Sequence, residues 1–145
     1  MTHAVPQLKD KSLFIEKCQV NGEWVGAQSG KTFEVTDPAT NKVIGTCPEF
    51  SAKDTERAIK AASDAFPVFR KTLVRERSRL LRRWNDLILQ NVDDLATLIT
   101  WENGKPFAEG QGEVKYAAAF IEWFSEEAPG YTPIRFRYPF RGTES

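Results

Sequence analysis

The sequence predicts a small antiparallel β unit followed by about four helices. Three observations carry this reading. An Asn21-Gly22 turn separates two short extended runs, the hydrophobic period changes at Ser51, and Gly104 with Pro106 closes one helix and opens the next.

The chain has 145 residues, 41% apolar and 28% charged, with 20 cations balancing 20 anions. A complete chain of this length buries roughly 68–70% of its unfolded surface around one core. The composition is that of a globular protein, and it argues against disorder and against a membrane protein. Zero net charge gives no whole-molecule attraction to nucleic acid or to an anionic membrane, so partners must be recognised locally. Cys18 and Cys47 accompany no secretory leader, and the opening residues lack an Arg-rich presequence pattern. The expected compartment is cytoplasmic.

Residues 1–13, with the single histidine His3, read as a flexible N-terminal tail. Residues 15–25 read as a hairpin, because Asn21-Gly22 tolerates positive φ at both centres of a two-residue turn, and Val20 then faces Glu23. Thr32-Phe-Glu-Val-Thr36 and Val43-Ile-Gly-Thr-Cys47 are the next extended runs, with the turn cluster Asp37-Pro-Ala-Thr-Asn41 between them. Ser51-Ala-Lys-Asp54 is a capping box whose side-chain oxygens accept from free N–H groups of the first helical turn. The helix it opens sets Ala58, Ile59, Ala62 and Ala65 on one face and is expected to stop at Phe66, before Pro67.

Leu73, Leu80, Leu81, Trp84, Leu87 and Ile88 repeat at helical spacing as a core-facing stripe of the second helix. Asn91 with Asp94 starts the third, where Leu95, Leu98, Ile99 and Glu102 share a face. Gly104 fits a left-handed C′ position there, and Pro106 cannot continue the helix. The fourth helix, residues 107–128, has one apolar face of Val114, Ala117, Ile121 and Phe124 and another of Tyr116, Phe120 and Trp123, so it requires cover on two sides.

The inventory of reactive groups assembles no catalytic site. His3 lies in the tail, away from any cysteine or serine that it would activate. Cys18 and Cys47 fall in short strands, where a small buried hydrophobe is the ordinary role, and neither has a basic neighbour in sequence. Glu109 and Glu113 lie four apart on one helical face, yet acidic residues in the first turns of a helix are expected from its dipole. Gly104-Lys105 lacks the upstream glycine of a phosphate loop, and Gly110-Gln-Gly112 lacks the third glycine of a dinucleotide fingerprint. Between Arg70 and Arg83 seven cations face one acid, but they interleave with the apolar stripe as a solvated helix face does, without an aromatic platform. Nucleic acid is therefore not an expected partner.

Six motifs in register resemble a known family. They are Val20-Asn-Gly-Glu-Trp24, Ser29-Gly-Lys-Thr-Phe33, Asp37-Pro-Ala-Thr40, Ala58-Ile-Lys-Ala-Ala62 with Ala65-Phe66, Arg75-Glu-Arg77, and Glu102-Asn-Gly-Lys-Pro106. In this order they resemble the N-terminal segment of the NAD(P)-dependent aldehyde dehydrogenases. Phe120-Ile-Glu-Trp-Phe-Ser-Glu-Glu127 narrows the likeness to the succinate-semialdehyde branch in its fungal form.

The resemblance implies an α/β enzyme much longer than this chain, with a Rossmann-like cofactor domain, a catalytic domain and an oligomerisation flap. It implies a cysteine thiolate that attacks the aldehyde, an oxyanion site with an asparagine from a Pro-Trp-Asn-Phe-Pro segment, hydride transfer to NAD(P), and a glutamate base. Those motifs do not occur here, so Cys18, Cys47, Glu102 and Glu109 inherit no catalytic role, and no cofactor-binding or metal-binding residue is assigned. Glu102 carries one weaker implication, as a neighbour of a structural monovalent cation.

Residues 14–129 are thus expected to be a partial N-terminal segment of an aldehyde dehydrogenase, inactive alone and binding no cofactor. Residues 130–145 depart from the family and are expected to form a divergent, poorly ordered tail. The alternatives are a noncatalytic module that docks on full-length subunits and a nucleic-acid binder acting through the basic helix.

Overall fold

The computed structural model describes residues 6–130, with side chains through residue 127. His3 and residues 131–145 of the expected tail lie outside the described residues. A short 3-10 turn, Lys11–Leu13, precedes β1 (Cys18–Val20), β2 (Glu23–Val25), β3 (Thr32–Thr36) and β4 (Val43–Pro48). Four helices follow: α1 (Ala52–Phe69), α2 (Val74–Gln90), α3 (Val92–Asn103) and α4 (Phe107–Gly130).

The expected single β unit is two separate antiparallel hairpins, β1–β2 and β3–β4. In the first, Val20 pairs with Glu23 as the turn chemistry requires, and Asn21 and Gly22 take φ of 54° and 81°. In the second, Val35 pairs with Gly45 and the register slips between Val35 and Thr36. Its turn is held by Asp37, which accepts the Ala39 N–H at 2.8 Å and the Thr40 hydroxyl at 2.7 Å. Side chains rather than ladder bonds connect the hairpins: Glu16 accepts both the N–H and the hydroxyl of Thr46, at 2.7 and 3.0 Å.

The capping box forms as the sequence predicts. Asp54 is fully buried and accepts the Ser51 N–H at 2.9 Å, the Ser51 hydroxyl at 2.7 Å and the Gln28 N–H at 3.1 Å, which fastens α1 to the loop after β2. Pro67 does not stop α1. Its missing N–H forfeits one backbone bond, but Arg70 donates to the Phe66 carbonyl at 2.9 Å and the helix completes another turn. Gly104 takes the left-handed C-cap at φ 80°, donating to the Thr100 carbonyl at 2.9 Å.

Two further expectations are corrected. The stripe assigned to the core side of α2 is split: Leu81 and Ile88 are half-buried, whereas Leu73, Leu80, Trp84 and Leu87 are exposed, Leu80 at 63% and Trp84 at 56%; Arg77, Ser78 and the buried Asn85 complete the covered positions. On α4 the packed face is Gly110, Val114, Ala118, Ile121 and Ser125, while Ala117 and Phe124 are exposed. Small residues select that face because they admit the neighbouring backbone: a Cβ added at Gly110 would sit 3.0 Å from the Ala96 carbonyl oxygen of α3, and the Ser78 hydroxyl donates to the Ser125 carbonyl at 2.6 Å. Asn91 stands at the N-cap position of α3, as the sequence predicts, and its carbonyl accepts the Leu95 N–H at 3.0 Å. It is also the last link to α2, and its side chain bonds backward to the Leu87 carbonyl at 2.9 Å.

The expected flexible tail is docked from Leu8 onward. Leu8 is 7% exposed, and the two oxygens of Asp94 accept the backbone N–H groups of Lys9 and Asp10 at 2.9 and 2.8 Å. The Lys9 ammonium pairs with Asp93 at 3.0 Å, and Gln111 of α4 donates to the same carboxylate at 2.9 Å.

Two glycines two residues apart have opposite roles. Gly110 lies against α3, whereas Gly112 faces open space. Gly110→Ala should lower stability by about 1–3 kcal/mol through overpacking. Gly112→Ala should raise it by roughly 0.5–1 kcal/mol through helix propensity. Urea unfolding of the two variants measures both.

The donors of Ser51, with the Gln28 N–H, hold the Asp54 carboxyl below its ordinary value. A depressed carboxylate stabilises the fold above its unfolded value of 3.8 and loses that contribution as pH falls through the folded value. The melting temperature should therefore be flat from about pH 7 to 5 and drop below about pH 4. In Asp54→Asn the acid limb should be shallower but still present, because Asp10, Asp37 and Asp93 are depressed as well.

Candidate functional site

An apolar groove of about 630 Å³ runs between α3 and α4, and its lining includes Leu95, Leu98, Ile99, Val114 and Tyr116, with Glu102 and Glu113 at its polar margin. The family-like stretch Glu102-Asn-Gly-Lys-Pro106 closes α3 beside it. Lys105 pairs with Glu113 across the turn, so Glu113 is committed to an ion pair. Glu109 is exposed. The Glu109–Glu113 pair is therefore not arranged as a general acid and base.

The structure brings together residues far apart in sequence at a second place. Cys47 of β4, Glu102 at the end of α3, Glu16 and Phe14 line a cavity of about 30 Å³, room for about one water. The Phe14 and Trp101 rings lie beside each other with centroids 5.9 Å apart. Burial, then the charges of Cys18, Glu102 and Glu16, push the Cys47 thiol above its ordinary value. A thiol meeting a carboxylate suggests a nucleophile and its base, but this electrostatics works against a thiolate, and no cation offsets it. The convergence was not visible in the sequence, because nothing local in residues 14–16 or 47 points toward α3. No group of three or more His, Cys, Asp or Glu residues among the described ones is placed to hold a metal ion.

Beside the basic helix, Phe69, Leu80, Leu81 and Trp84 line an apolar cleft of about 390 Å³ that one of the seven cations, Arg77, also borders. Arg82 reaches Glu126 of α4 at 3.5 Å, an exposed pair worth little in water. No described helix is long and apolar enough to cross a membrane.

The two hairpins, the capped α1 and the glycine-closed α3 follow in the order of the family-like motifs, and residues 24–138 match the pattern of the aldehyde dehydrogenase family. The chain belongs to the aldehyde dehydrogenase family. The match runs beyond Pro129 to residue 138. A glutarate-semialdehyde dehydrogenase of Pseudomonas putida is 51% identical over 135 residues, covering 88% of this chain and 28% of the relative. A succinate-semialdehyde dehydrogenase [NADP(+)] of Schizosaccharomyces pombe is 47% identical, covering 83% and 25%. The solved succinate-semialdehyde dehydrogenase of Burkholderia pseudomallei superposes with a TM-score of 0.81 at 51% identity, covering 83% of this chain and 25% of that one. The chain thus spans about a quarter of the length of the curated relatives it matches, in their N-terminal portion.

The aromatic face of α4 remains uncovered by the described residues: Tyr116 is 69% and Trp123 61% exposed, and Tyr116 stacks edge-on against Phe120 at 4.9 Å. Phe120→Ser with Trp123→Ser should leave the unfolding free energy within about 0.5 kcal/mol for each change while reducing self-association. Ala118→Leu, on the buried face, should cost about 1–3 kcal/mol. Urea unfolding and sedimentation of the two variants separate these outcomes.

Proposed function

We propose that these residues form the opening segment of an aldehyde dehydrogenase that oxidises a short semialdehyde bearing a distal carboxylate, of the succinate or glutarate kind, with NAD(P)⁺ as hydride acceptor. The observation that carries the reading is the close likeness, over most of the chain, to dehydrogenases named for those two substrates. The proposed compartment is the cytoplasm.

The 145 residues by themselves do not turn over, in this reading. Cys47 has two carboxylates beside it and is held protonated, the reverse of what an attacking thiol needs, and its cavity is too small to admit an aldehyde. The expected result is that purified chain, given succinate semialdehyde with NAD⁺ or NADP⁺, produces reduced cofactor no faster than a protein-free blank. Turnover above the blank that Cys18→Ser or Cys47→Ser abolishes would overturn this.

The exposed Tyr116, Phe120 and Trp123 favour a second reading, a noncatalytic segment that docks on full-length subunits. Co-elution of the tagged chain with a longer co-expressed subunit, lost in Phe120→Ser/Trp123→Ser, is the result that would select it.

A further inference from the structure

Two thiols stand where the segment before β1 runs along β4, and nothing in the reading above uses them. The alignment of these segments follows from their contacts. A Cβ added at Gly45 would come 2.9 Å from the Phe14 ring and 3.4 Å from the Glu16 carboxylate, so Gly45 turns its bare side toward residues 14–16. The same Glu16 oxygen accepts the N–H and hydroxyl of Thr46. Residue 14 meets residue 45, residue 16 meets residues 45 and 46, and the next inward position on each segment is a cysteine. Cys47 lies two residues beyond Gly45 on β4 and projects from the same side of the strand. Over β1 the side chains alternate half-buried, exposed, half-buried at Cys18, Gln19 and Val20, which turns Cys18 inward.

The electrostatics agrees with this placement. After burial itself, Cys18 is the largest influence raising the Cys47 thiol, ahead of Glu102 and Glu16. Both thiols are free and half-buried, within reach of a small reagent.

We propose that Cys18 and Cys47 close reversibly into a disulfide that ties the first hairpin to the second when the chain meets a small-molecule disulfide such as oxidised glutathione. Cys18 reacts first: its thiolate opens the glutathione disulfide, forms a mixed disulfide and releases one glutathione. Cys47 then attacks the Cys18 sulfur and displaces the second glutathione. Two S–H bonds are lost and one S–S bond forms, and both electrons and both protons leave in the two glutathione thiols. Cys47 takes the second step because burial and the neighbouring carboxylates disfavour its thiolate toward free reagent, whereas a mixed disulfide on Cys18 is held beside it and waits for the Cys47 proton to leave to water.

The test treats the full chain with a glutathione redox pair in native buffer and in concentrated urea, and reads intact mass and tryptic peptides. The expected product has lost two hydrogens and links peptide 18–31 to peptide 43–53. Its effective concentration should be about tenfold higher in native buffer than in urea, because the folded hairpins hold the thiols together. Cys47→Ser and Cys47→Ala should stop at one stable glutathione adduct on Cys18. The wild-type native-to-urea ratio needs no variant to fold. A ratio of one or below, adducts on both cysteines without closure, or disulfide-linked dimers as the main product would each overturn the proposal.

Discussion

The packing of the helical half rests on the small side chains along one face of α4. Gly110, Ala118 and Ser125 recur near helical spacing with Val114 and Ile121 between them, and they let α2 and α3 approach close to the α4 backbone. Close approach excludes large side chains from the seam. The aromatic residues of α4 and Leu80 and Trp84 of α2 are displaced outward, where they form apolar surface. The seam is also partly polar: Asn85 is buried, and its side-chain oxygen has no partner among the described residues. A buried carbonyl oxygen left without a partner costs stability.

Outside the helices, acidic side chains act as joints. Asp54 reaches the Gln28 N–H, Asp94 reaches the N–H groups of Lys9 and Asp10, and Glu16 reaches Thr46. Each carboxylate satisfies backbone donors of a segment remote in sequence, which ladder bonds between such short elements do not do. The chain thus spends several of its acids on architecture. Of the carboxylates that the sequence offers as chemical candidates, Glu113 is occupied by Lys105, Glu109 is exposed, and Glu102 is set against the Cys47 thiol.

What was legible in the sequence was local. Asn21-Gly22, Ser51 with Asp54, and Gly104 each impose a backbone geometry through their own chemistry, and each appears where expected. The faces of α2 and α4 were not legible in the same way. Hydrophobic periodicity marks a stripe that has cover somewhere, and it does not say which neighbour supplies it. Leu80 and Trp84 read as core yet are exposed, while Ser78 and Asn85 are covered together with Leu81 and Ile88, and Ser78 bonds to α4. The meeting of Cys47 with Glu102 was invisible for a related reason: it is made by tertiary placement, and no spacing rule connects β4 to the end of α3.

The clasp of Asp94 on Lys9 and Asp10 has a consequence for the order of assembly. Its two ends are separated by 85 residues, so the early strap has no partner until α3 has been made. At synthesis rates of about 5–20 residues per second, Leu8 waits roughly 4–17 s, time enough for the hairpins and α1 to form on their own contacts. The strap therefore docks after the local elements have formed, onto a surface that already exists. Residues 8–10 are made well before the carboxylate that holds them.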